Sequence, residues 1–506
     1  MMLFWSLVVA CAHKPPVDVV DDSGENRLVV LHTNDLHGHF LPERAPWIDG
    51  EPQIGGFALL DAKVQAIREE VGDSHVLLLD GGDILTGTPL TDIEVRGSRG
   101  GAMLEFMELV GYDAWVLGNH EFDKGFSNTA ELVKSSKIPV LSSNLDGVEG
   151  GVAMEGLQDA IVLEKGGLKV GVIGATTMGL GHLASTSTMA KMKLSPLTQT
   201  VSEQLERLDP VTDLIVVLSH IGLEADRRLA EEVSGIDLIV GGHSHTYLPE
   251  PEQVNGTWIV QAGSYGRSIG RVEIGVNQDE ITDFEGQLVD LLPSPDAEVR
   301  PQMRDLVSHY EEIISSEFGQ VIAEAEQTLS RSYYFESDLG NWITDVLREA
   351  GDTDVAFYNV GGLRADLVGG EVTTGSIYEI FPFGNQVVTF EISASELLGV
   401  MLSNAKVALE QNHGSIQQSG VEMTWRERMD TPEAVSIRVG GAPFDPDATY
   451  TVTSNSYVAE QANRYLAGAQ PANLVGLEAT VFDVAVAAAK TGTIQKPIDG
   501  RLRKVE

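Results

Sequence analysis

The chain has 506 residues, with 75 Asp and Glu against 34 Lys and Arg, a formal charge of −41 at pH 7. At 42% hydrophobic and 22% charged it has enough apolar content for large cores and lacks the composition of a disordered chain. No Lys/Arg cluster is present to displace counterions, which excludes a broad grip on a nucleic-acid polymer.

The N-terminus comes first. The one thiol, Cys11, excludes an internal disulfide. It follows the apolar stretch Leu3 to Ala10, and Val8-Val9-Ala10-Cys11 resembles the bacterial lipobox at which a lipoprotein signal is cut and the cysteine acylated. The segment is short and lacks the Lys/Arg of a signal n-region. Residues 1–26 are therefore expected to be a lipoprotein signal and polar tether. They would hold a soluble body on the bacterial envelope, in the periplasm or at the cell surface. No other stretch approaches the roughly 18 apolar residues of a spanning helix.

Residues 27–292 alternate short apolar runs with amphipathic segments: LVVLH (28–32), VLLLD (76–80), AWVLG (114–118), VGVIGA (170–175), LIVVLSH (214–220) and DLIVGG (237–242). Such runs predict a layered α/β domain with buried sheets, and helices over 55–71 and 198–208. Three prolines between Leu291 and Pro301, then a helical pattern over 298–316, mark a linker at 293–320. Residues 321–506 predict a second, smaller α/β or α+β domain, with a helix over 338–350 and strands at 355–360, 387–393 and 449–454.

Five polar clusters stand in order along the first domain, each directly after an apolar strand: Asp35-Leu36-His37, Gly82-Asp83, Gly118-Asn119-His120-Glu121, Ser219-His220 and Gly242-His243-Ser244-His245. Loops at one edge of an α/β sheet bring distant segments into one site. Imidazole suits transition ions, whereas carboxylate and amide oxygens suit harder ones. Together they suit a pair of divalent metals about 3.5–4 Å apart, which polarise a phosphoryl oxygen and generate hydroxide from water. Gly81, Gly82, Gly241 and Gly242 let the backbone turn closely around them. Taken singly, each cluster is also an ordinary loop. His32 and His39 read as a strand and a loop residue, and His13, His75, His182, His309 and His413 as structural.

The motifs LHTNDLHGHF (31–40), LDGGD (79–83), LGNHEFD (117–123), LSHIG (218–222) and GGHSH (241–245) resemble those of the 5′-nucleotidase family, a branch of the calcineurin-like metallophosphoesterases. The resemblance runs from about Leu28 to the C-terminus. It implies a β-sandwich metallophosphoesterase domain flanked by helices, joined by a linker helix to a substrate-binding domain. It also implies a dinuclear-metal hydrolase of nucleotide monoesters in which metal-activated water attacks phosphorus. One ion, Mn²⁺ or Zn²⁺, would be held by Asp35, His37 and His245, the other by Asn119, His220 and His243, with Asp83 bridging. Position 245 varies among His, Asn and Gln in the family. His120 and Asp123 would form a dyad beside the metals.

In the C-terminal domain, YNVGGLRADL (358–367) and FPFGNQV (381–387) resemble the family's substrate segments. The resemblance implies that Arg364 binds phosphate oxygens, Phe383 stacks on a base and Asn385 meets its polar edge. Taken alone, Arg364 also fits a surface ion pair, and Phe383 a core position. Two segments depart from the family. Glu460-Gln461-Ala462-Asn463-Arg464-Tyr465 replaces a Gly-Gly-Asp-Gly-aromatic loop, with Tyr465 left to close an aromatic sandwich with Phe383. Phe335 stands before Glu336 where an arginine is usual, with Arg331 as its substitute. These departures leave room for a cyclic-nucleotide phosphodiesterase, a nucleotide-sugar hydrolase or, further off, a sulfur-compound hydrolase. From another class, a non-catalytic nucleotide-binding lipoprotein would not need the full ligand set.

Overall fold

The computed structural model describes residues 26–147, 154–184, 186–277, 280–294, 297–411 and 415–506. Cys11 with most of the proposed tether, His13 and His413 lie outside the described residues.

The strands that position the first domain's chemistry are β1 (Asn26–Thr33), β2 (Val76–Asp80), β3 (Ala114–Val116), β4 (Leu168–Thr176), β5 (Leu214–His220), β6 (Leu238–Val240) and β7 (Ser268–Asn277). In one sheet β3, β2 and β1 run parallel side by side, and β7 pairs antiparallel with the far edge of β1. In the other, β4, β5 and β6 are parallel neighbours. Side chains alternate across a strand. Leu28 and Val30 therefore enter a core shared with Leu77, Leu79, Val172, Val216 and Val240, while Val29 and Leu31 face Phe57 and Phe106. The parallel strands are apolar on both faces because one face meets the other sheet and the other a helix layer, which is why their runs lack polar alternation. Helices α1 (Phe57–Val71), α2 (Gly101–Val110) and α3 (Phe126–Ser135) belong to the outer layer of the first sheet. Helices α4 (Leu197–Leu208) and α5 (Leu223–Glu232) cover the second.

The linker helix α6 (Pro301–Phe318) starts with proline in its first turn, where the missing N–H is not needed. It is docked: Met303 and Tyr310 are buried in the first domain's core, Tyr310 donates to Glu105 at 2.7 Å, and Arg300 pairs with buried Asp61.

The second domain is α+β. Helix α7 (Asp338–Gly351), capped by Ser337 accepting from the Gly340 N–H, packs on a five-stranded sheet containing β8 (Val355–Asn359), β9 (Gln386–Ser393) and β10 (Thr449–Asn455). A four-stranded sheet completes it. Helix α8 (Thr374–Ile380) faces the first domain: its Tyr378 hydroxyl donates to Asp92, which also receives Lys124 Nζ at 2.6 Å. After β10, the segment that departs from the family forms two short helices, α9 (Ser456–Glu460) and α10 (Ala462–Tyr465), bent at Gln461.

Candidate active site

All five clusters sit beyond the C-terminal ends of parallel strands: Asp35 and His37 after β1, Asp83 after β2, Asn119 and His120 after β3, His220 at the end of β5, and His243 and His245 after β6. The two sheets deliver them to one place. His37 Nε2 lies 3.1 Å from His245 Nε2 and 3.8 Å from Asp35 Oδ1, and His245 Nε2 lies 3.2 Å from Asp35 Oδ1. Asp83 Oδ2 is 3.0 Å from His220 Nε2, 3.9 Å from His120 Nε2 and 4.0 Å from His37 Nε2. The His220 and His243 ring centroids are 5.1 Å apart.

The backbone is bent to achieve this. Asp35, His37, Asp83, His243 and His245 all hold left-handed φ between 49° and 77°, a region L side chains avoid unless the surroundings impose it. A buried carboxylate imposes part of it. Glu121 accepts from the backbone N–H of Gly118 at 2.6 Å, Ile84 at 2.9 Å, Asp83 at 3.2 Å and Leu85 at 3.3 Å, tying the loops after β2 and β3 together. Burial still pushes its carboxyl up to about 7. Of the four glycines expected to turn the loops, Gly82 alone has positive φ (86°). Gly242 serves by close approach, since a Cβ there would meet the Gly81 carbonyl.

The donor atoms are aimed at one centre, and three of them are unspent. His37 Nδ1 donates to the carbonyls of Leu85 and Thr86, both at 2.8 Å, and His220 Nδ1 donates to Gly81 O at 2.6 Å. In each ring this leaves Nε2 pointing to the centre, as second-shell carbonyls do for metal-bound histidines. Asp35 Oδ2 is held by Asn34 Nδ2 and the His243 N–H, while Asp35 Oδ1, Asn119 Oδ1 and His220 Nε2 are buried without a hydrogen-bond partner. Burial, with the Arg364 guanidinium, holds His37 well below its ordinary pKa, and burial with His220 holds His243 down at about 4. Burial opposes charge on His220, yet Asp83 pushes it up to about 10. Two buried carboxylates, the neutral imidazoles of His37 and His243 and the orphaned oxygens of Asp35 and Asn119 form a donor set that fits divalent cations.

His120 is arranged differently. Its Nδ1 donates to Asp123 Oδ2 at 2.6 Å, and Thr86 Oγ1 donates to the same oxygen at 2.7 Å. Burial works against the imidazolium, but Asp123 and Asp83 outweigh it and raise the His120 pKa. Its Nε2 is left toward Asp83.

A cavity of about 800 Å³ opens between the domains, lined by Asp83, Asn119, His120, Asp123, His243 and His245 on one side. Arg364, Phe383, Asn385 and Tyr465 line it from the other. Arg364 Nη2 reaches 3.5 Å from His37 Nε2, and the Phe383 ring centroid is 5.7 Å from His120 and 5.9 Å from the Arg364 guanidinium. Phe383 and Tyr465 make no ring contact with each other among the described residues. Tyr465 is buried, with Asn359 and Tyr457 as hydrogen-bond partners. Arg331 does not line the cavity. Its Nη1 donates to the carbonyls of Leu363 and Arg364, so it braces the Arg364 loop instead of replacing the usual arginine.

His32, buried, and His39, half-buried, lie outside the donor cluster, His39 stacked at 4.2 Å on Tyr265. Sequence reasoning missed Glu121's clamp, Arg331's bracing, the Asp92–Lys124–Tyr378 contact and the cavity residues Tyr457, Glu460 and Arg464. The position of Glu121 within its cluster hinted at the clamp, and the departures at Arg331 and at 460–465 marked two segments without revealing their roles.

Residues 28–247 match the calcineurin-like phosphoesterase family and residues 318–468 the 5′-nucleotidase C-terminal domain. The chain belongs to the 5′-nucleotidase family. It is a metal-dependent phosphoric ester hydrolase. Among relatives of this 5′-nucleotidase-family chain, apyrase from Tabanus yao is 29% identical over 503 residues, covering 88% of each chain. The trifunctional nucleotide phosphoesterase protein YfkN of Bacillus subtilis is 26% identical over 89% of this chain, which spans only 32% of that longer protein. The crystal structure of a 5′-nucleotidase precursor from Thermus thermophilus superposes with a TM-score of 0.83 at 28% identity, covering 95% of this chain and 99% of that one.

Proposed function

We propose that the chain is a two-domain 5′-nucleotidase that hydrolyses nucleotide monoesters at a dinuclear centre. The observation that carries this reading is the convergence of potential metal ligands from five strand ends, three of them with a buried atom that has no hydrogen-bond partner, beside the cavity that Arg364 enters from the second domain. Asp35, His37 and His245 would hold one ion and Asn119, His220 and His243 the other, with Asp83 between. Mn²⁺ and Zn²⁺ both suit this set. When bound, such ions neutralise phosphoryl oxygens and lower the pKa of water.

The chain's own residues do the rest. Arg364 presents a planar fork to the phosphoryl oxygens and fixes their orientation. His120, kept protonated by Asp123 at Nδ1, holds a proton at Nε2 for the departing ribose oxygen. Phe383 covers this end of the cavity with an aromatic face against which a base stacks, with Asn385 and Tyr465 completing the base subsite. The second domain swings to deliver substrate, and the body is exported and anchored through Cys11. Among the described residues no helix is long and apolar enough to cross a membrane.

The test is product release by Mn²⁺-loaded protein from AMP, UDP-glucose and 2′,3′-cyclic AMP, with chelated protein and His120→Ala as controls. AMP turnover that chelation abolishes and His120→Ala lowers at least about 100-fold is expected. Turnover confined to UDP-glucose or the cyclic diester moves the reading to those activities. No turnover with two metals bound overturns it in favour of a binding protein.

A further inference from the structure

The cavity wall built by α9 and α10 carries two charged side chains that the chemistry at phosphorus does not use. Glu460 closes α9 and Arg464 stands four positions later in α10. Both are exposed and both line the cavity. The Arg464 guanidinium lies 5.2 Å from the Tyr465 ring centroid, and no ion pair joins it to Glu460 among the described residues. A guanidinium fork and a carboxylate are thus both available on the wall that bears the base-subsite residue Tyr465.

That pairing selects its ligand. The fork alone would take an anion, but a second phosphate beside Arg464 would meet the Glu460 carboxylate, and like charges are rejected at close quarters. A neutral ring with two adjacent acceptors and two adjacent donors satisfies both groups. Guanine presents O6 and N7 to a guanidinium, a bidentate match, and its N1–H and N2 amino hydrogens to a carboxylate. Adenine offers neither pair, and hypoxanthine keeps O6, N7 and N1–H but lacks the N2 amino group.

We propose that Glu460 and Arg464 make this a guanine-selective site, Arg464 donating to O6 and N7 and Glu460 accepting from N1 and N2. The proposal rests on the nucleotide-hydrolase reading above and names the base it prefers. A bidentate pair discriminates by roughly 5- to 150-fold, so wild-type kcat/KM for GMP should exceed that for AMP by at least about ten-fold, with IMP between. Glu460→Gln and Arg464→Met should each bring the GMP:AMP ratio toward one, Glu460→Gln also closing the gap between GMP and IMP. A second readout needs no turnover: calorimetric binding of guanosine and adenosine to the chelated protein should show the same preference, lost in the variants. Ratios within about two-fold in both assays, too small for even one bidentate pair, or ratios untouched by both substitutions, overturn the proposal. Guanosine preference without turnover of any nucleotide leaves it standing and overturns the hydrolase reading instead.

Discussion

Arg364 Nη2 and His37 Nε2 lie 3.5 Å apart, although 327 positions and a domain boundary separate them in the chain. Burial, with a guanidinium this close, keeps His37 neutral, the form in which imidazole binds a metal, and the same approach sets the fork over the donor cluster. Arg364→Ala should lower kcat/KM for a nucleotide monoester about 100-fold, the scale of a lost charge-assisted bidentate contact. Arg364→Lys should restore little, because a point charge lacks the fork. Recovery of most activity in the lysine variant would contradict the bidentate role.

The dyad sets a pH dependence. His120 is cationic below a pKa that Asp123 and Asp83 hold up against burial. Asp123→Asn removes one support, so the His120 pKa falls and the alkaline limb of the pH–rate profile moves to lower pH. An NMR titration of the His120 ring in both proteins reads the shift directly. An unmoved or raised pKa would refute it.

Metal uptake should release protons. Asp83 pushes His220 up to about 10 despite burial, so at pH 7 its Nε2 carries a proton where a ligand lone pair is required. Loading should therefore expel on the order of one proton from His220, and affinity should weaken as pH falls. Calorimetry in buffers of different ionisation enthalpy measures the number released. A value of zero is the adverse outcome.

On α5, burial pushes the Asp226 carboxyl up to about 7, where it accepts from Ser219 Oγ at 2.5 Å. A raised carboxyl pKa means the native state binds the proton more tightly than the unfolded chain, whose value is near 3.9. This contribution is complete below about pH 4 and is lost as pH rises through about 7. Asp226→Asn should therefore gain thermal stability relative to wild type between about pH 5 and about pH 8. Metal-free melting temperatures that differ by a constant across that range would count against it.

Between the domains, Asp92 joins Lys124 of the first domain to Tyr378 of the second, and Lys124 Nζ also lies 3.4 Å from Pro382 O. Tyr378→Phe removes the interdomain hydrogen bond to Asp92, worth about 1 kcal/mol, and the long one from Lys124 Nζ at 3.5 Å, and should enlarge the radius of gyration in small-angle scattering while raising KM by a few-fold. If the second domain must swing, a crosslink between the domains should stop turnover. An active crosslinked protein would sink the swing.

The sequence by itself determined the strand-end clusters and the order in which they appear. Parallel strands covered on both faces are written as unbroken apolar runs, so the loop after each run stands out. The motif resemblance pointed to the two-domain architecture for the same reason, since its segments are local and short. The helix over 338–350 was likewise a local signal, whereas the linker helix, expected from 298, starts at Pro301.

Tertiary structure alone decided the rest, because it depends on which distant backbones come to lie side by side. Glu121 matters through four N–H groups on two different loops, and nothing in its immediate sequence records the second loop. Arg331 looked like a substitute for the arginine usual before Glu336, yet the packing of its loop spends it on the carbonyls of Leu363 and Arg364. The segment from Glu460 to Tyr465 lost the family's glycines and folded as a bent pair of helices. That bend buries Tyr465 and leaves Glu460 and Arg464 on the cavity wall, a result set by docking against β10 and the core beneath it rather than by the residues' own preferences.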